Sequence, residues 1–229
     1  MTWYLARALG LVLLAVFTAS TALGILSSTV QAGGRVPRFV ATDLHRRISL
    51  LAMVLLVAHI VVSVADSYVT ITWLDAVVPF VGTYRPLWMG LGTLAFDLMI
   101  AVTVTSLLRH RMNPTAWRVV HLSVYAAWPA VVLHGLGTGS DSRRVPALVL
   151  TGASTLVVLG AVAWRLRAWP APLTRSRLVG LAALPVASLL VVVWAWNGPM
   201  ATGWAKKAGT PPPPSSSTNA PAAAQGGAP

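Results

Sequence analysis

Long apolar segments alternate with short polar segments along most of the chain. Six segments are long and apolar enough to cross a bilayer as helices: Leu5–Leu26, Leu44–Ala65, Leu87–Leu108, Trp117–Leu136, Val145–Trp164 and Leu178–Trp196. Beyond Asn197 the chain becomes rich in Pro, Ser, Ala and Gly, a composition that cannot bury a core. The pattern predicts an all-α, polytopic membrane bundle of six transmembrane helices at residues 1–197. A Pro/Ser/Ala/Gly-rich tail follows at residues 198–229, disordered from about Ala205.

Two segments do not fit a simple alternation of spans and loops. The first apolar run could be a secretory signal peptide, with Val30-Gln31-Ala32 as its cleavage site. Its length exceeds the roughly 7–15 residues of a usual signal core, which favours a retained span. The segment Asp66–Pro86 mixes apolar residues with turn residues. It is therefore predicted to lie on the membrane surface as a partial helix or cap.

The basic residues are distributed unevenly between the two sides of the predicted bundle. The chain is 56% hydrophobic and 10% charged, with a formal net charge of +12. Of its 17 Lys and Arg residues, eleven lie on the side reached after spans one, three and five. Because positive loops stay in the cytoplasm, both termini are predicted outside it, in a protein of the inner (cytoplasmic) membrane. Orientation in the lipid bilayer accounts for these basic residues, and nucleic acid is not expected as a partner.

Two residue types that could hold metals are missing. The chain has no cysteine, which excludes disulfides, thiolate metal sites, iron–sulfur clusters and covalently attached c-type haem. It also has no glutamate, so a di-iron carboxylate bundle would lack its ligands. Any haem in this protein must therefore be held without covalent bonds.

Four of the five histidines form two matched pairs in the second and fourth spans. His45 and His59 are 14 residues apart, which is about 21 Å along a helix, and they lie within about 40° of one face. His121 and His134 are 13 residues apart, about 19.5 Å. Histidine in a membrane helix needs a partner. The spacing predicts two stacked sites, His45 with His121 and His59 with His134.

The fourth span needs a distortion to aim both of its histidines inward. In an ideal helix, 13 residues rotate by about 220°, so the two rings would point to different sides. We expect Pro129, which lies between them, to kink or retwist the span. Asp97, near the middle of the third span, is either functional or a hydrogen-bonded helix contact. His110 lies in a basic turn and is expected to face solvent.

Two histidines per site favour an iron porphyrin over a bare metal ion. Zinc normally takes three or four protein ligands, and no third ligand lies at a matching depth. A porphyrin supplies four nitrogens of its own and needs only two axial ligands. Its propionates could accept charge-assisted hydrogen bonds from three arginines near the first pair: Arg46, Arg47 and Arg118. The alternative is that the histidines are hydrogen-bonded core residues.

These residues resemble the ferric reductase-like transmembrane domain family. The likeness rests on His-x13-His in one span, His-x12-His two spans later, and His-Gly-Leu-Gly-Thr-Gly-Ser-Asp at 134–141. The family includes NADPH oxidases, iron and copper reductases, and the haem-binding membrane subunit of the bacterial periplasmic methionine sulfoxide reductase system. The match covers about residues 44–141 and, by span count, extends to about 197. It implies two b haems, one ligated by His45 and His121 and one by His59 and His134.

The resemblance implies a b-type cytochrome, an oxidoreductase subunit that transfers electrons across the membrane. The sequence contains no Rossmann fingerprint, so the donor is expected to be a quinol or a separate flavoprotein, with flavin only on that partner and a quinone as a further cofactor. The acceptor is expected to be a ferric chelate or an extracytoplasmic redox partner facing Arg85, Arg143 and Arg144. Two alternatives stay open. One is a non-catalytic scaffold or assembly subunit with structural histidines, and the other a permease using Asp97 in a proton relay.

Overall fold

Five helical segments of the computed structural model are long and apolar enough to cross a membrane. The structure describes residues 1–27, 37–139, 143–167, 186 and 189–211. These form α1 (Thr2–Ser27), α2 (Arg38–Val64), α3 (Trp73–Val77), α4 (Pro86–Leu107), α5 (Pro114–Leu122), α6 (Val124–Thr138) and α7 (Val145–Arg167). The candidate spans are α1, α2, α4, α5 together with α6, and α7. The prediction of an all-α, multi-pass membrane protein is confirmed for these residues.

The sixth predicted span lies mostly outside the described residues. Of Leu178–Trp196, the structure describes position 186 and residues 189–196, which are helical. A sixth crossing therefore stays a prediction. The second span begins at Arg38 rather than at Leu44. Pro37 immediately precedes it with φ of −61°, a conformation that proline favours at a helix start.

Two antiparallel helical hairpins form the centre of the bundle. α1 packs along α2, and α4 packs along α5 and α6. α1 also contacts α6 and α7, so it joins the two hairpins. Leu13, Leu14, Phe17 and Ile25 of α1 are all buried. The first span is therefore part of the core rather than a peripheral helix.

Small side chains bring the helices together between the two predicted sites. Ala52 of α2 and Ala127 of α6 are both 0% exposed, and Ala95 of α4 is 1% exposed. Ala52 is seven residues from both His45 and His59, so it lies on the same face of α2 midway between them. Membrane helices approach closely where side chains are this small. Small, buried side chains thus lie between the two histidine sites.

The fourth span is interrupted at Ser123 rather than at Pro129. The Ser123 N–H donates to the Val120 carbonyl at 3.0 Å, and the Ala126 N–H donates to the Ser123 carbonyl at 2.9 Å. Both are i to i−3 bonds, which wind the chain about 120° per residue instead of about 100°. Pro129 lies inside α6, which continues through it. A retwist in the direction that the histidine spacing requires is present at Ser123, rather than at Pro129 as predicted.

The segment between α2 and α4 folds against the start of α4. Thr72 caps α3, because its Oγ1 accepts from the Asp75 N–H at 3.3 Å while the Asp75 carboxylate accepts from the Thr72 N–H at 2.8 Å. Thr93 Oγ1 donates to the Asp75 carbonyl at 2.7 Å. The Phe80 ring lies against Gly90 and leaves no space for a side chain there. The predicted partial helix is present as α3.

Residues 198–210, the C-terminal segment, pack onto the end of the bundle where α6 finishes. Arg85 donates from Nε to Thr210 Oγ1 and from a terminal nitrogen to the Gly137 carbonyl, both at 2.8 Å. Trp204 Nε1 donates to the same carbonyl at 3.0 Å, and its ring lies 5.3 Å from that of Trp88. This packing continues five residues past the predicted start of disorder at Ala205. Residues 212–229 of the predicted tail lie outside the described part of the chain.

Candidate functional site: two pairs of facing histidines

The first pair, His45 of α2 and His121 of α5, is brought together edge to face. The ring centroids are 6.3 Å apart and the ring planes are inclined at 79°. Two metal–imidazole bonds of about 2 Å, with about 1.1 Å from each nitrogen to its ring centre, give a separation of about 6 Å. A shared coordination axis fixes the separation of the rings but not the angle between their planes. The observed centroid separation is therefore the one expected for two imidazoles that would hold one metal atom between them.

His45 is fixed by a closed set of hydrogen bonds between α1 and α2. Its Nδ1 lies 2.9 Å from the Ser20 carbonyl oxygen and 3.4 Å from Ser20 Oγ. Ser49 Oγ donates to the His45 carbonyl at 2.7 Å. Because the Ser49 proton is used there, Ser20 Oγ donates the 2.7 Å hydrogen bond to Ser49 Oγ. A carbonyl only accepts, so Nδ1 carries the ring proton and Nε2 keeps its lone pair for a metal.

The second pair, His59 of α2 and His134 of α6, lines a single cavity of about 290 Å³. Small-molecule sites of about 300–1,000 Å³ are typical, so the cavity lies just below that range. Most of its lining is apolar and includes Leu14, Phe17 and Leu56. Apolar walls with two imidazoles in the lining match the needs of a flat, hydrophobic macrocycle.

The second pair uses backbone acceptors in the same way as His45. His59 Nδ1 lies 2.9 Å from the Ala6 carbonyl oxygen, and His134 Nδ1 lies 2.9 Å from the Trp88 carbonyl oxygen. Both acceptors belong to the neighbouring helix of the same hairpin. Both rings are therefore Nδ1–H tautomers with Nε2 available, the arrangement that metal-ligating histidines normally have.

His121 differs because a side chain rather than the backbone contacts its Nδ1. Ser106 Oγ lies 3.2 Å from Nδ1 and also accepts a hydrogen bond from Trp117 Nε1 at 3.4 Å. The Trp117 ring stacks on His121 with centroids 4.9 Å apart and planes at 28°. Sequence reasoning missed both residues. Trp117 could have been found, because it lies four residues before His121 and hence on the same helix face.

The three predicted arginines lie on the surface at the end of the bundle that holds the first pair. Arg47 forms an i to i+4 ion pair with Asp43 at 2.7 Å, and both side chains are largely exposed. Arg46 and Arg118 are also exposed. The structure thus places them at the predicted end, and their contact with propionates stays a prediction.

Other candidate residues lie outside the two pairs. Asp97 is not among the residues lining the cavity, and His110 is exposed as expected. Arg85 is only 6% exposed, so the expectation that it faces a partner was wrong. Arg143 and Arg144 are exposed. The buried hydrogen bonds of Arg85 hold the C-terminal segment instead.

The donor set fits a cofactor that brings most of its own ligands. Within the described residues, no three His, Cys, Asp or Glu side chains cluster to hold a bare metal ion. Each pair offers two neutral imidazole nitrogens in a largely apolar setting, which suits a b-type haem. Comparison of the chain with protein-family models, with curated proteins and with solved structures finds no match. The functional conclusion therefore depends on the geometry of the histidine pairs.

Proposed function

We propose that this protein is a membrane cytochrome b of the ferric reductase-like type, which transfers electrons across the bilayer. The observation that carries the proposal is the 6.3 Å separation of the His45 and His121 rings. It is supported by the second pair, which shares an apolar cavity and has both Nδ1 atoms bonded to backbone carbonyls. A protein that used its histidines only for helix packing would not need two rings at coordination distance.

The residues of each pair have defined tasks in this proposal. His45 and His121 hold one haem b, and His59 and His134 hold the other. A bis-histidine haem supplies a one-electron redox centre with no open coordination position. The hydrogen bonds to Nδ1 orient the rings and raise the basicity of Nε2. The apolar walls exclude water, and the buried Ala52 and Ala127 lie between the two sites along α2 and α6.

The distribution of charge supports an orientation in the membrane. The excess of arginine at the end holding His45 and His121 favours the cytoplasmic side for that pair. The His59 and His134 pair then lies near the outer surface, with both termini outside the cytoplasm. The proposed donor is a quinol or a separate flavoprotein. The proposed acceptor is a ferric chelate or an extracytoplasmic redox protein that meets the exposed Arg143 and Arg144.

Substitution of single histidines tests the proposal. We expect purified wild-type protein to show a reduced-minus-oxidised b-type spectrum with two haems per chain. His45→Ala should lose the haem of the first pair and His59→Ala that of the second, each leaving about half of the absorbance. His110→Ala is the matched control, since its ring is exposed in a basic turn. Unchanged absorbance in both ligand variants would refute the assignment.

A further inference from the structure

Three of the four histidines meet their supporting helix through the same local arrangement. In each case Nδ1 lies 2.9 Å from a backbone carbonyl oxygen, and the residue four positions after that carbonyl is a glycine in van der Waals reach of the ring. The sets are Ser20 and Gly24 for His45, Ala6 and Gly10 for His59, and Trp88 and Gly92 for His134.

The glycine is needed for a geometric reason. The side chain of a helical residue leans toward the N-terminus and covers the turn before its own Cα. A side chain at position i+4 therefore covers the carbonyl of residue i. Glycine leaves that carbonyl open from the side, so an imidazole of the neighbouring helix can reach it while the carbonyl keeps its place in the helix.

The supporting positions repeat with the same interval as the histidines. Gly10 and Gly24 of α1 are 14 residues apart, as are His45 and His59 of α2. On α4, the position 14 residues after Gly92 is Ser106, the residue that contacts His121. Each of the four histidines therefore has a supporting position on the neighbouring helix, and these positions repeat at the same 14-residue interval. Three of them are glycines and the fourth is a serine.

We propose that Gly10, Gly24 and Gly92 are positioning residues that lock three histidines as Nδ1–H tautomers, and that Ser106 makes His121 the one ligand with an adjustable ring proton. A carbonyl can only accept a hydrogen bond, whereas a hydroxyl both donates and accepts. Nδ1 of His121 is thus free to be either donor or acceptor toward Ser106. The proposal concerns the Nδ1 side of each ring. It rests on the proposed function only for the identity of the group bound at Nε2.

The ring tautomers give a test that does not need haem. Full-length protein labelled with ¹⁵N-histidine and produced without a haem supply is compared by NMR in detergent, using His110→Gln to remove the exposed ring. We expect three rings to be Nδ1–H tautomers and the His121 ring to exchange between both forms. Three rings with protonated Nε2, or four identical rings, would overturn the proposal.

Glycine substitutions test the positions one at a time. A methyl carbon would lie 2.5 Å from His134 Nδ1 at Gly92, 3.0 Å from His45 Cε1 at Gly24 and 3.3 Å from His59 Cε1 at Gly10. Loss of cofactor should follow that order, reaching about 10- to 100-fold weaker binding in Gly92→Ala. Gly24→Ala should affect the first pair and the other two variants the second. Gly160→Ala, on α7 and outside the cavity lining, with nothing within 4 Å of its added methyl, is the control.

Substitution of Ser106 tests the adjustable ligand. Ser106→Ala should change the midpoint potential and low-spin EPR signal of the haem in the first pair only, and Ser106→Thr, which keeps the hydroxyl, should restore both. A purely structural role would leave the midpoint potential unchanged or lower the content of both haems together. Either result would overturn the proposal. A haem-free wild-type protein would instead refute the proposed function, while the tautomer measurement would still decide the role of the glycines.

Discussion

Arg85 offers a sharp test of how the C-terminal segment is held. Its guanidinium is buried and donates to Thr210 Oγ1 and to the Gly137 carbonyl, each at 2.8 Å. Arg85→Met removes both donors but keeps a long apolar stem. The left-handed backbone at this position, with φ of 44°, is equally unfavourable for both residues. The substitution therefore isolates the effect of the guanidinium.

The expected cost is about 2 kcal/mol. A hydrogen bond from a charged donor contributes about 1.5–3 kcal/mol. Two such bonds are lost, but only the bond to Thr210 joins the Arg85 side chain to the C-terminal segment, because Gly137 belongs to α6. Removal of the buried charge offsets part of the remaining loss. A change of about 2 kcal/mol raises the detached population of the segment about 30-fold.

Cysteine labelling measures that population directly, because the chain has no cysteine of its own. Ala208 is 6% exposed, so Ala208→Cys should react with a membrane-impermeant maleimide only when the segment detaches. We expect Arg85→Met to accelerate this reaction about 30-fold. Ala205→Cys, at an exposed position, is the control and should react at the same rate in both backgrounds. An acceleration of less than about threefold would refute the anchoring role of Arg85.

Three further substitutions follow from single contacts. Trp128→Phe removes a buried hydrogen bond from Nε1 to Thr18 Oγ1 of 3.3 Å and should lower the unfolding free energy by about 1 kcal/mol in thermal denaturation. Gly90→Ala should destabilise the protein by about 1–3 kcal/mol because the methyl meets the Phe80 ring, and a smaller residue at position 80 should recover part of this loss. Asp43→Asn removes only an exposed ion pair, so a change above about 1 kcal/mol in the same assay would contradict its surface role.

The spans and the pairing of histidines were predictable because both depend on periodicity. Apolar runs of about 20 residues identify membrane helices without knowledge of their neighbours. The 14-residue interval of His45 and His59 places both rings on one face, and the matched interval in the fourth span places one histidine of each helix at the same end. The structure brings His45 and His121 together at the end expected from this spacing.

The supports of the histidines were not predictable in the same way. Three of the four acceptors at Nδ1 are the backbone carbonyls of Ala6, Ser20 and Trp88, and a carbonyl is present at every residue. The break at Ser123 was missed because proline is the stronger local signal for a helix distortion. The 14-residue interval between glycines was visible in the sequence, but its meaning depends on which helices are neighbours.

The packing of the C-terminal segment depends on contacts far apart in the sequence. Local composition near Ala205 predicts disorder, yet Trp204 and Thr210 are held by the carbonyl of Gly137 and the side chain of Arg85. The same contacts explain why Arg85 is buried. A basic residue in a predicted loop is normally assigned to the surface, and only the fold shows which buried acceptors it meets.

Ligation of haem by the two histidine pairs is the central claim, and EPR of the oxidised, purified full-length protein tests it most directly. The account predicts two low-spin ferric signals from bis-histidine haems, with a total content of two non-covalent haems per chain by pyridine haemochrome. A preparation without haem, or one whose iron is entirely high-spin, would contradict the assignment of His45, His59, His121 and His134 as axial ligands.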